Sequence, residues 1–394
     1  MKKIRKYLIL IGFAAILGFT FSFLKHNGYW FKLTSGLKTI KWYLYPVIIL
    51  FNFFIVILIH ELGHLFSFVL NKIKIRALYV LVFVLMRKEN DKWKFKIYPK
   101  HIKLLGGIVV PNIGEIKTEE DFNKIRTAFS NALIAGPRTS VGYLILSIIV
   151  FILIWFLTNL NLLAALLFIN AVITSLMTVL IVLTSKVNTN EIYGDYVAYD
   201  KFLTDDRFAL LQLIQYRSFS TIEDEETDKF LYDYLTNFYK SSTLSYHLFD
   251  LVLASNLLNF YLEDENIENS SVNRVINYYS INRLASSKNG LELAYLISAY
   301  YYKNNNAEKA FQTFKLIQVS NNKHIDEDKQ LFLFKQYEHM LNLNNNEKYF
   351  SENKTMMLEE LFVLAPLVNV DEMIKDMSKT LTFVEYKTEL YCNL

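Results

Sequence analysis

Four long apolar stretches stand out along the chain: Tyr7 to Leu24, Tyr45 to Leu70, Thr139 to Leu157 and Leu162 to Thr184. Each is close to the roughly 20 residues a helix needs to cross a bilayer, so the pattern predicts at least four membrane helices. Between the second and third, the period shortens toward two. Ile75 to Met86 is β-branched and apolar, Trp93 to Tyr98 alternates hydrophobic with basic residues, and Gly106-Gly107-Ile108-Val109-Val110-Pro111 suits a further strand. A hairpin is expected around Lys88 to Asp91, and the apolar run Leu78 to Leu85 is too short to span.

From about Thr204 the chain turns polar and keeps helical spacing without another run able to cross a membrane. Tyr301 to Phe311 reads as the turn and second helix of a tetratricopeptide-like hairpin, Leu343 to Phe350 echoes it about forty residues later, and Tyr261 to Asn269 echoes it more faintly. A spacing near forty fits helical-hairpin repeats of the solenoid kind. Tyr295, Tyr302 and Phe314, at helical spacing, are expected in the core between helices.

The fold expected is therefore mainly α: a polytopic membrane helix bundle with a small cytoplasmic β-hairpin region, followed by a soluble, repeat-like α-helical domain. Residues 1–44 would be an N-terminal anchor and external loop, 45–203 the membrane core, and 204–394 the cytoplasmic domain.

Composition agrees, with 53% hydrophobic and 20% charged residues. The net charge of +4 is small and dispersed, which argues against nucleic acid as a partner. The single cysteine, Cys392, excludes an intramolecular disulfide. Lys2, Lys3, Arg5 and Lys6 place the N-terminus in the cytoplasm ahead of a retained anchor, and Lys72, Lys74 and Arg76 mark a cytoplasmic exit for the second span. Lys25, Lys32, Lys38 and Lys41 in the first external loop weaken the contrast, while Arg138 marks the inner interface of the third span. A multi-pass protein of the cell membrane with both termini cytoplasmic follows.

The second span carries the chemistry. His60-Glu61-Leu62-Gly63-His64 sets two histidines four residues apart on one helix face, where they can share one Zn²⁺ while the glutamate activates a water. Composition alone produces this pattern in fewer than about one such chain in a hundred. If the helix is regular, His60 lies roughly 15 Å from its cytoplasmic end.

A catalytic zinc site commonly has a third protein ligand. His26, His247, His324 and His339 are poorly placed, and His101, among basic residues, reads as a surface side chain. Asp195, just after the fourth span, is the best-placed carboxylate, with Glu191, Asp200 and Asp205 as further candidates; Gly194-Asp195 also suits an ordinary turn. A straight continuation of the fourth helix would carry Asp195 roughly 16 Å past its end, so the chain must bend back or the span sit deeper.

In the order His60-Glu61-Leu62-Gly63-His64, Gly106-Gly107, Ala135-Gly136-Pro137 and a later aspartate, residues 45–205 resemble the site-2 protease family of intramembrane zinc metalloproteases, particularly its bacterial members. The resemblance implies His60, His64 and Asp195 as zinc ligands and Glu61 as general base. It also implies a small sheet at the inner membrane face, able to hold an unwound substrate by strand addition. Two departures accompany it: Ser140 stands where relatives commonly carry asparagine, and Gly194 precedes Asp195 with no proline nearby.

The expectation is a zinc metalloendopeptidase acting on a membrane protein or a signal or leader peptide. The alternative is an inactive membrane scaffold or peptide-maturation partner that recruits proteins through its helical tail.

Overall fold

The computed structural model describes residues 22–88, 92–104, 106–189, 193–263, 269–287, 289–320, 326–354, 364–377 and 380–381. Nearly all of the first predicted span, the hairpin tip at 89–91, the middle of the 261–269 echo, Glu191, His324 and Cys392 lie outside them. The described chain is mostly helical with one small antiparallel sheet.

Three helices are long and apolar enough to cross a membrane. Helix α2, Tyr45–Leu70, has the predicted bounds, with Pro46 in its first turn, where a missing N–H costs no hydrogen bond. Helix α4, Asn161–Thr184, also follows its apolar run. Helix α3, Glu119–Leu157, begins well before Thr139. Its first turns carry Glu119, Glu120, Asp121, Lys124 and Arg126, so hydropathy does not reveal them, but a reciprocal Thr118–Asp121 cap fixes the start. Pro137 sits inside this helix without ending it.

The segment between the first two predicted spans contains an unexpected helix, α1, Tyr29–Thr39. Its Leu33 is buried with Phe151, Trp155 and Ala164, and Lys32 Nζ donates to the Trp155 carbonyl at 2.9 Å, near the end of α3.

The sheet has the order β3-β2-β1-β4, with β1 Lys74–Val80, β2 Phe83–Arg87, β3 Trp93–Ile97 and β4 Gly107–Asn112. The Ile75–Met86 run is thus two strands, not one. Leu81 takes a left-handed φ of 52° and donates its N–H to Gly106 O, a reversal made by an apolar residue that gives no turn signal. Leu78, Val80 and Val109 join the core that includes Ile57 and Phe68 of α2, while Ala77, Tyr79, Val84 and Val110 on the other face pack against Leu367. Arg76, expected at the membrane exit, is buried and donates to the carbonyls of Phe219 and Leu367.

Helices α5, Asp195–Thr204, and α6, Asp206–Ser218, lead into α7 to α15, which begin at Glu225, Leu248, Asn269, Ile281, Leu291, Ala307, Glu327, Glu347 and Val370. The Asn304-Asn305-Asn306 turn joins α11, Leu291–Lys303, to α12, Ala307–Val319, with the Asn306 side chain capping the second helix. Tyr295, Tyr302 and Phe314 are buried there, as expected. One apolar core runs from Ile57 on α2 through Phe129, Phe202 and Phe208 to Tyr337 on α13, Glu327–Met340.

Candidate metal centre

The helical period brings His60 and His64 to one face of α2, and α3 supplies what orients both rings. His64 Nδ1 lies 2.7 Å from the Ala132 carbonyl, which can only accept, so Nδ1 carries the proton and Nε2 keeps its lone pair. Ser140 Oγ donates to the Gly136 carbonyl at 3.2 Å and accepts from His60 Nδ1 at 3.0 Å. The same tautomer follows for His60. Ser140 thus orients a candidate ligand through its free oxygen lone pair.

Gly136 makes this approach possible. A Cβ at that position would stand 2.2 Å from His64 Nε2 and 2.4 Å from Cε1. The imidazole therefore lies directly over the backbone of α3.

Asp195 reaches the same point because the chain does bend back. Beyond α4, Gly194 N–H donates to Val187 O at 2.9 Å and Tyr196 N–H to Ser185 O at 3.0 Å, with a bridge between Asn188 and Tyr193. This closed reversal returns Asp195 to the end of α4, where Ser185 Oγ donates to Asp195 Oδ2 at 3.2 Å. Gly194 allows it, since a Cβ there would lie 2.2 Å from the Thr184 carbonyl oxygen. Helix α5 is held by Arg126 of α3, which donates to the carbonyls of Phe202 and Leu203 and pairs with Asp206 at 2.6 Å.

Three lone-pair donors converge. The two Nε2 atoms are 3.1 Å apart, and Asp195 Oδ2 lies 3.5 Å from that of His60 and 3.9 Å from that of His64. A tetrahedral zinc with bonds of about 2.0–2.1 Å separates neighbouring donors by roughly 3.3–3.4 Å, a value these distances bracket. Two neutral imidazoles and a carboxylate are also the donor types zinc takes, so the residues fit the ion.

Glu61, only 4% exposed, points elsewhere: it receives the Gly107 backbone N–H and lines the same cavity of about 450 Å³ as the three donors. That cavity opens between α2, α3, β4, α5 and α6, with Tyr193 and Tyr216 among its walls. Burial and the nearby Glu61 carboxylate push the Tyr216 phenol up to about 12, so it remains an O–H donor at neutral pH. Tyr216 could not be singled out from sequence, because no spacing rule links it to the histidine pair, and Ser140, marked there as a departure from the resembled motif, was given no role.

The other candidates fall outside the cluster. Asp200 is exposed, and Asp205 caps α6 through the N–H groups of Arg207 and Phe208. His101 is not a surface residue. It is 3% exposed and lies against the rings of Tyr98 and Tyr79, centroids 5.2 and 5.6 Å away, while Lys100 beside it is exposed. His247 Nδ1 accepts from Phe249 N, and buried His339 accepts from Asn346 N; both serve local turns.

A His-Glu-x-x-His pair with a carboxylate within reach, on a helix long and apolar enough to cross a membrane, is the donor pattern a membrane metalloprotease uses. The chain belongs to peptidase family M50, the site-2 protease family, whose model matches residues 48–332. The match continues past the apolar helices into the helical half as far as α13. No curated protein and no solved structure matches the chain. Members of the family are membrane-associated zinc metalloproteases.

Proposed function

We propose that this protein is an intramembrane zinc endopeptidase that cleaves membrane-embedded proteins or signal and leader peptides. The convergence of His60 Nε2, His64 Nε2 and Asp195 Oδ2 beside the Glu61 carboxylate carries the reading. These three side chains would hold the zinc, which when bound polarises the scissile carbonyl and acidifies water. Glu61 takes the proton of the attacking water and returns it to the leaving amine. Its Gly107 N–H partner fixes the carboxylate for both transfers.

A helical substrate must unwind before its amide can enter. Strand β4 is an edge of the sheet among the described residues, and Gly107, Ile108 and Val109 line the cavity, so an extended segment added along β4 would be delivered to the centre. Apolar walls from Phe129, Phe202 and Phe208 limit bulk water around the reacting groups.

Asp195→Asn tests the ligand set. The amide is a much poorer zinc donor, so the purified variant is expected to bind zinc at least about 100-fold more weakly and to cleave no co-expressed single-span candidate. Stoichiometric zinc in the variant, measured by elemental analysis, would remove Asp195 from the set. In orientation, both termini face the cytoplasm with the cavity opening on that side. A fluorescent reporter after Leu394 is expected to fold and an alkaline phosphatase there to stay inactive; the reverse pattern would invert the topology.

A further inference from the structure

Helix α6 brings to the cavity a polar side chain that the proposed chemistry leaves without a task. His60, His64 and Asp195 supply the converging donors, and Glu61 receives the Gly107 N–H. Of the other polar walls, Gln212 donates its amide to Gln215 Oε1 at 3.1 Å, and Tyr193 lies beside Asp205 with the Lys201 ammonium 4.7 Å over its ring. Tyr216 differs from both. Among the described residues its hydroxyl makes no hydrogen bond, and the charge that acts on it is the Glu61 carboxylate.

The ring is fixed by packing. Phe129 of α3 meets it at 5.4 Å, and Phe129 in turn meets Phe68 of α2, one turn past His64, at 5.0 Å. Tyr216 also packs against both apolar clusters that the sheet separates, which places it at the β4 edge, where the two faces meet. The end of α6 is tied to the same strand. Arg217 donates to the Ile113 carbonyl at 3.1 Å and pairs with Asp228 at 2.6 Å, while Asn112 Oδ1 accepts from Thr221 N–H and Ser220 Oγ, each at 2.9 Å. The position of Tyr216 thus owes nothing to its own hydroxyl, which stays available to a ligand.

A segment extended along Gly107, Ile108 and Val109 would carry its amide into the cavity that Glu61 and Tyr216 both line. As the water oxygen bonds to the scissile carbon, the water gives a proton to Glu61 and the carbonyl π pair moves onto oxygen. When the C–N bond breaks, that pair re-forms the carbonyl and the amine departs with the proton from Glu61. The oxygen carries its charge only between these two events. A neutral O–H aimed at it therefore binds the transition state more tightly than the substrate, and more so where apolar walls exclude water.

We propose that Tyr216 is a catalytic residue of this hydrolysis: its O–H donates to the scissile carbonyl oxygen as negative charge develops there, and keeps its proton throughout. The inference rests on the reading of the centre as a protease site.

The test uses full-length, zinc-loaded protein in detergent, with unfolded casein as substrate. The ligands are the phosphinate acetyl-Ala-Phe-Ψ[PO₂CH₂]-Leu-Ala-amide and its ordinary peptide counterpart. In Tyr216→Phe, which removes the hydroxyl and keeps the ring, kcat on casein is expected to fall about 10²-fold, with KM held within about twofold and zinc content unchanged. Calorimetric affinity for the phosphinate, whose anionic oxygen copies the charged state, is expected to fall by a similar factor. The ordinary peptide, titrated in a Glu61→Gln background to prevent its cleavage, is expected to bind equally with and without Tyr216→Phe. Unchanged kcat and phosphinate affinity overturn the proposal, and so does a KM that rises with kcat held, which would make Tyr216 a plain binding contact. If Tyr216→Phe loses zinc or unfolds, 3-fluorotyrosine placed at position 216 alone decides: its ¹⁹F resonance is expected to shift on adding the phosphinate and not the peptide, and no shift with the phosphinate overturns the proposal. Glu61→Gln separates the two failures. Casein cleavage lost in Glu61→Gln but intact in Tyr216→Phe ends the Tyr216 proposal alone, whereas cleavage intact in both, or wild type that neither cleaves casein nor binds the phosphinate, ends the protease reading and this proposal with it.

Discussion

Glu61→Gln is expected to slow peptide-bond cleavage by about 10³-fold while leaving zinc content unchanged. The split follows from where the carboxylate points. Glu61 is one residue from His60 in sequence but is not one of the three converging donors, and it shares their cavity with its carboxylate bound to the Gly107 N–H. Glutamine has the same shape and accepts the same backbone hydrogen bond, so packing beside β4 survives, but an amide cannot accept and release a proton at neutral pH. Zinc by elemental analysis and cleavage of a co-expressed membrane substrate, measured on one preparation, check both halves. Undiminished cleavage would remove Glu61 from the chemistry.

Gly136→Ala is expected to weaken zinc binding by more than about 100-fold and to lose activity with it, although residue 136 offers no ligand atom. The added methyl would need the space of the His64 ring, 2.2 Å from Nε2. The ring cannot step aside without giving up the 2.7 Å hydrogen bond to Ala132 O that sets its tautomer. Gly142→Ala, on the same helix with nothing near its would-be Cβ, is the control: metal affinity should hold and stability change by less than about 1 kcal/mol in alanine's favour. Equal zinc binding in the two variants would mean that α2 and α3 part more readily than their packing implies.

The apolar helices were legible because each run of side chains faces lipid or core over its whole length; α2 ends where Asn71 and Lys72 interrupt it. The start of α3 was not, since its charged first turns are held by a cap and by the contacts of Phe122 and Phe129, which no hydropathy window sees. The histidine pair was legible for the opposite reason, being a local pattern on one helix. Asp195 could only be a candidate: its position depends on a reversal made by backbone hydrogen bonds between residues 185 and 196. The Ala132 carbonyl, which orients His64, is a backbone atom and leaves no trace in residue identity. His101 was misread because charged neighbours in sequence say little about which way a ring faces once Tyr98 folds over it.

The donor set is divided between two kinds of scaffold. His60 and His64 belong to an apolar helix, whereas Asp195 opens α5, whose Phe202 packs among Phe129 and Phe208 and whose end is gripped by Arg126. During synthesis the histidines emerge first, and inserting their helix does not by itself assemble the trio. In a nascent chain the three side chains that could hold a metal would therefore come together only once the part that follows has docked onto α3.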